Sequence, residues 1–240
     1  MSAIDPEQPI GTMVVQQPGL ARVFEELGFD YCCGGQASLS DVAAQRGLDA
    51  RTLAIALEAD ARANAPGAGE RDWSEESFAA LCDHIVSEHH AYLRRELPRI
   101  DGLLEKVVSR HGETVPSLNQ LQREFAALHV DLLDHIDHEE EYLFPLCRDL
   151  AGDGQLNPEA LPQLGMHEAS HAGVGEALAR MRELAGGYDL AEALCTTHGV
   201  MLESLHALEL DLHQHIHEEN NVLFPRLRGE LGGASQPVAG

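Results

Sequence analysis

Apolar residues in this chain recur three and four positions apart, in short bursts before residue 64 and over long stretches after residue 72. In the second part, Phe78, Leu81, Ile85, Leu93 and Leu97 hold helical spacing and predict a first long helix opening near Asp72 or Ser74. A second follows Pro116, where Ser117 and Gln120 have the spacing of a capping box. Asn157-Pro158 offers an N-cap with proline at the first helical position, and so opens a third. Asp189 and Glu192 suit the cap of a fourth, which ends by Gly232-Gly233. Nothing alternates in the manner of a strand. Four long helices with short connections predict an all-α, up-down-up-down four-helix bundle over residues 72–233.

The first part reads differently. Leu20-Ala21-Arg22-Val23-Phe24, Asp41-Val42-Ala43-Ala44 and Thr52-Leu53-Ala54-Ile55-Ala56-Leu57 are short apolar stretches punctuated by glycine and proline. They predict three or four short helices and a loop at Asp30-Tyr31-Cys32-Cys33-Gly34-Gly35. The stretch Asn64-Ala65-Pro66-Gly67-Ala68-Gly69 carries no periodic apolar residue and separates a small helical domain, 1–66, from the bundle.

Charge narrows the function. Sixteen Lys+Arg against forty Asp+Glu give a formal net charge of -24. Nucleic acid and anionic membrane both reward positive charge, so neither is expected as a partner. The acidity suits a protein that handles cations, and equally a solvated helix surface. No apolar run is long enough to span a bilayer, and Met1 to Gln8 lacks the basic-then-apolar pattern of a secretory leader. Five scattered cysteines then read as reduced thiols, and a cytoplasmic location is expected.

Two segments carry the chemistry. Asp131, His135 and Glu139, then Leu143-Phe144-Pro145, are matched by Asp211, His215 and Glu219, then Leu223-Phe224-Pro225. Residues four apart share a helix face. Both rows lie in phase with apolar positions, Leu128, Leu132 and Leu143 in one and Leu208, Leu212 and Val222 in the other, so they should face the interior. A carboxylate buried there is costly unless paired or bound to metal. Imidazole and carboxylate one turn apart chelate iron, manganese or zinc, and two such helices supply the ligands of a dinuclear centre.

Helices one and three should each add a histidine. Helix three offers His167 and His171, and helix one offers His84, His89 and His90, of which periodicity slightly favours His89. Asp131 and Asp211 precede their histidines by one turn, where they would accept from the distal imidazole N–H or simply be solvated acids. His129, His138, His206, His213 and His217 are left at the surface or behind the ligands. Pro145 and Pro225 each remove a backbone hydrogen bond one turn back, so both helices should bend or tighten there. The adjacent Cys32 and Cys33, followed by two glycines, read either as thiolates that engage iron, a cluster, nitric oxide or a redox partner, or as small buried hydrophobes. Cys82, Cys147 and Cys195 fall within predicted helices and read as packing residues.

These motifs make the chain resemble the RIC family, the di-iron proteins for repair of iron centres. Asp30-Tyr31-Cys32-Cys33-Gly34-Gly35 resembles the family's small ScdA-type domain, and the remainder resembles its hemerythrin-like bundle. The resemblance implies two non-haem iron ions in an oxo- and carboxylate-bridged di-iron centre held by His90, His135, Glu139, His171, His215 and Glu219. His90 is reached by counting back from Leu97-Pro98, as the family places its ligand, and His171 by the glycine four residues on, Gly175. The family often has an acid just before the helix-three ligand; here that residue is Ser170, with Glu168 as a substitute. The resemblance further implies repair of iron–sulfur proteins damaged by nitrosative or oxidative stress through supply of iron, with Cys32 and Cys33 active in redox or iron transfer. Two alternatives stand beside it: an enzyme that reduces nitric oxide using an electron donor, and a module that binds or senses dioxygen or nitric oxide. Iron donation need not involve turnover, so the sequence leaves open whether the protein is an enzyme.

Overall fold

The computed structural model describes residues 4–63, 73–153 and 160–233. It is helical throughout those residues, with a single isolated bridge between Pro9 and Ser38. Two compact units divide the chain: Met1–Glu76 with Ile216–Gly240, and Ser77–His215. The boundary therefore cuts one long helix, assigning its last part to the N-terminal unit, where the sequence suggested a division in the loop after residue 66.

The first unit opens with α1 (Ile10–Gln16), α2 (Leu20–Leu27), α3 (Leu39–Gln45) and α4 (Ala50–Ala63). Ser38 and Asp41 cap α3 reciprocally, each side chain meeting the other's backbone N–H. Gly28 ends α2 at φ +66, a left-handed conformation that costs glycine nothing. Ile10, Met13, Leu20, Phe24, Leu39 and Leu57 are buried completely or nearly so and form the core. Each contributes roughly 1.5–3 kcal/mol relative to an exposed side chain.

The second unit contains α5 (Phe78–Ile85), α6 (Ala91–His111), α7 (Ser117–His138), α8 (Phe144–Asp153), α9 (Ala160–Leu184) and most of α10 (Thr196–His217). Cross-helix pairs fix their directions. His90 meets Glu140 while Arg94 meets Asp137, so helix one runs against helix two. Glu124 pairs with Arg180 while His135 pairs with His171, so helices two and three are antiparallel. His89 meets Asp211 while Arg99 meets Ser204, which sets helix four against helix one. The result is the expected up-down-up-down arrangement. Its interior is lined by Leu93, Leu97, Leu104, Leu121, Phe125, Leu132, Leu178, Leu205 and Leu208. The buried carboxylate of Glu209 is answered by Arg182 and by the Tyr188 hydroxyl at 2.7 Å, with His213 Nε2 at 3.9 Å.

Several expected boundaries shift. Helix one starts at Phe78 and is capped by Ser77, whose hydroxyl accepts from Ala80 N–H. Ser74 lies in a turn, and Asp72 falls outside the described residues. Ser117 is the first residue of α7, after Pro116 at the N-cap, and makes no capping bond. Asp189 caps a short 3-10 turn instead of helix four, which begins at Thr196. Asn157-Pro158 lies outside the described residues.

The prolines act differently from expectation. Residues Glu139–Leu143 and Glu218–Leu223, each just before a Phe-Pro pair, are π-helical, and α11 (Phe224–Gly233) follows the latter. Proline withholds the donor that would close the last α-turn, and the turn opens to a wider ring. A third π segment, Val86–His90, joins α5 to α6 with no proline one turn beyond.

Two glycines should respond oppositely to alanine. A Cβ at Gly35 would lie 2.5 Å from the Tyr31 carbonyl and 2.6 Å from Asn221 Oδ1, whereas one at Gly102 in α6 meets nothing within 4 Å. Gly35→Ala is expected to destabilise by about 1–3 kcal/mol. Gly102→Ala is expected to stabilise by about 0.5–1 kcal/mol. Denaturant unfolding of the two variants checks both.

Candidate metal centre

The centre is organised by Glu139, the first residue of the π segment on helix two, which is 0% exposed. Its two oxygens face different histidine pairs. On one side, His90 Nε2 lies 3.3 Å from Oε2 and His215 Nε2 lies 3.9 Å from it, with 3.3 Å between the two nitrogens. On the other, His135 Nε2 lies 2.8 Å from Oε1 and His171 Nε2 3.9 Å, with 3.0 Å between them. Glu219, one turn beyond His215 on the same helix, is also wholly buried. Donor atoms of His90, Glu139 and His215 lie within 4.8 Å of one another, and so do those of His135, Glu139 and His171.

The donor chemistry fits a metal cation. Each histidine pair turns two Nε2 atoms toward one oxygen of an acceptor-only carboxylate, a grouping of nitrogen and oxygen donors that suits a transition metal. A cation at either pair would be held by its two ring nitrogens and by Glu139. Burial alone pushes Glu139 upward, but the charge of His135 and the close ring nitrogens of His135, His167 and His90 outweigh it and hold the carboxyl well below its usual range. The group is therefore an anion and a ready ligand.

Other carboxylates orient the rings. His90 Nδ1 donates to Glu140 Oε1 at 2.9 Å, and Arg94 Nη2 donates to that same oxygen at 2.9 Å. Asp211 bonds His89 Nδ1 at 3.0 Å rather than its own helix's His215, and His89 then stacks on His215 with planes 2° apart. Asp131 is exposed, and Glu168 is half-buried on α9. His167 is buried, with Nδ1 3.2 Å from Glu139 Oε1, closer than His171 comes.

In the first unit the thiol loop is held by its backbone. Asn221 Nδ2 donates to the carbonyls of Tyr31 at 3.3 Å and Cys32 at 3.1 Å, and Asn220 Nδ2 to that of Cys32 at 3.4 Å. The Tyr31 ring meets the His217 ring edge-on at 5.3 Å. His217, placed by sequence at the surface or behind the ligands, is buried there, and burial pushes its imidazole down to about 4. Cys32 is buried with Sγ 3.9 Å from Cys33 Sγ and 3.3 Å from Asp30 Oδ1. The hydrogen bond to Cys33, then burial and the charge of Asp30, push its thiol well above the usual range. Cys32 is thus a protonated thiol at neutral pH, and both cysteines are unpaired by disulfide.

Comparison with known proteins agrees with this architecture. The hemerythrin HHE cation binding domain matches residues 81–227, and the ScdA_N domain, itself of unknown function, matches residues 6–61. The iron-sulfur cluster repair protein YtfE of Escherichia coli O157:H7 is 32% identical over 225 residues, which is 93% of this chain and 98% of that protein. YtfE of Citrobacter koseri is 31% identical and that of Pectobacterium carotovorum subsp. carotovorum 32%, over the same shares. The chain belongs to the RIC family. No helix among the described residues of this RIC protein is long and apolar enough to cross a membrane.

Of the residues singled out by sequence in this RIC chain, His90, His135, Glu139, His171 and His215 come together, and Glu219, Cys32 and Cys33 belong to the other unit. Asp211 reaches His89 instead of His215. His167, the other helix-three candidate, stands nearer Glu139 than His171 does; Glu140 was assigned no role, because it acts across helices, which spacing along one helix cannot reveal.

Two outcomes are expected. Ferrous iron or zinc at a hundred times its dissociation constant should stabilise the metal-free RIC protein by about 2.7 kcal/mol per bound ion in thermal unfolding, and Glu139→Gln should remove most of that gain. Because its proton is held to higher pH, Cys32 should alkylate more slowly than free cysteine at pH 8, with its half-point displaced to the alkaline side, as peptide mapping by mass spectrometry would show.

Proposed function

We propose that this protein repairs iron–sulfur clusters damaged by nitrosative or oxidative stress, with iron held around Glu139 as the cargo. The observation that carries this reading is the buried Glu139 carboxylate with one histidine pair at each oxygen. Imidazole and carboxylate hold ferrous iron without the tight grip of thiolates, so bound iron remains exchangeable. The YtfE relatives are named as iron–sulfur cluster repair proteins, which supplies the biological setting.

Each residue then has a task. His90, His135, His171 and His215 would hold the iron, with Glu139 and Glu219 as its carboxylate ligands. Glu140 fixes the ring of His90, and Arg94 holds Glu140 in turn. His89, held by Asp211, packs the ring of His215 from behind. Asp30, Cys32 and Cys33 lie close enough to share one ion and form the contact to a damaged protein, with Cys32 giving up its proton when a metal arrives.

The test is metal content and repair together. Protein purified without oxygen should carry about two irons per chain. It should restore activity to a hydratase whose cluster has been destroyed by nitric oxide. Glu139→Ala with Glu219→Ala should lose the iron and the repair, while Cys32→Ala with Cys33→Ala should keep the iron and lose most of the repair. Stoichiometric zinc instead of iron, or consumption of nitric oxide with an electron donor but no repair, would overturn the proposal.

A further inference from the structure

A cleft of about 750 Å³ opens between α7 and α9 in the bundle unit. Its lining includes Asp131, Asp134, His135, His138, Gln163 and His167, so it reaches the histidines of the candidate centre from outside. The mouth is acidic, and the cation there, Arg180, is already engaged by Glu124 at 3.3 Å and Glu176 at 3.7 Å. Such a wall concentrates cations.

Within the cleft, His138 Nδ1 stands 3.3 Å from His167 Nε2. That is the separation found in the two pairs around Glu139, at 3.3 and 3.0 Å, and it suits two nitrogens on one metal ion. His138 is exposed and His167 buried, so the pair bridges solvent and interior. His167 is prepared for a cation by its other nitrogen. Nδ1 lies 3.2 Å from Glu139 Oε1, so the charge of that carboxylate favours the tautomer with its proton on Nδ1 and leaves the lone pair on Nε2 facing His138. A third donor is at hand, because Gln163 precedes His167 by one turn and its Oε1 is buried with no hydrogen-bond partner among the described residues. Gln163, His167 and His171 therefore form a ladder along α9 that descends toward Glu139, opposite His138 and His135 on α7.

We propose that His138, His167 and Gln163 form a third cation site, through which ferrous iron passes between solvent and the paired positions around Glu139. The inference rests on the iron-binding reading of that centre. Transfer is an exchange of ligands: the ion leaves His138 and Gln163 for His135 and His171, no electron moves, and a neutral imidazole remains on each side. The acids of the cleft hold the ion before His138 takes it, and the exposure of His138 makes it the first imidazole an incoming ion meets.

The test uses the full chain, cobalt(II) as the probe ion and His138→Ala, a change at an exposed position outside the paired centre. Equilibrium dialysis should find about one more cobalt per chain in the wild type than in His138→Ala, with the pair around Glu139 retained in both. A chelator should strip ferrous iron about tenfold more slowly from His138→Ala than from the wild type. Gln163→Ala should weaken the extra site without abolishing it. Equal stoichiometry and equal stripping rates overturn the transit site and leave the paired centre standing. An extra ion with unchanged stripping overturns the transit role. Cobalt that survives Glu139→Gln but is lost wholly in His138→Ala overturns the paired-centre reading instead.

Discussion

Glu139 carries negative charge where solvent does not reach, and much of the bundle's polar interior is arranged in answer to it. Burial favours the neutral acid, so only the imidazole nitrogens and positive charge gathered around it keep the carboxylate ionised. Helices one, two, three and four each bring a histidine toward this group, and those histidines in turn need Glu140, Asp211 and Arg94 to hold their rings. Around this lies an apolar frame of leucines that gives the polar cluster nowhere else to go. A charge of this kind is a liability in a bundle with no cation to hold, which is the physical reason to regard the cluster as a site and not as ordinary packing.

The fold was legible because four amphipathic periods of twenty or so residues leave few alternatives, and the doubled Asp-His-Glu-Leu-Phe-Pro row named three of the five converging side chains. Helix one was harder. Periodicity pointed to His89, yet both His89 and His90 are buried, because the π segment Val86–His90 adds a residue to the turn and breaks the 3.6-residue count. Asp211 was matched to the wrong ring for a related reason. Spacing along one helix describes neighbours on that helix, while Asp211 reaches across to His89 and Glu140 reaches across to His90. The capping signals at Ser117 and Asp189 failed where a proline or a short 3-10 turn had already supplied the helix start.

The thiol loop follows a different logic. Its sequence advertised two reactive sulfurs, but the structure binds the loop by its carbonyls, using the amides of Asn220 and Asn221, and closes around Gly35 so tightly that no side chain fits there. The same closure buries Cys32 and keeps its proton on. Reactivity is thereby made conditional on something that arrives, since the resting thiol is a poor nucleophile and a poor ligand.

The wide turn at Glu218–Leu223 has a consequence inside the first unit. An added residue rotates everything beyond it by roughly a hundred degrees about the axis. His217, just before the turn, and Asn221, within it, both face the thiol loop, one with its ring on Tyr31 and the other with its amide on the Tyr31 and Cys32 carbonyls. The π turn works as a twist that brings an imidazole and an amide to bear on one loop. Removing one residue from it would leave the sequence on either side intact and aim Asn221 at the wrong neighbour.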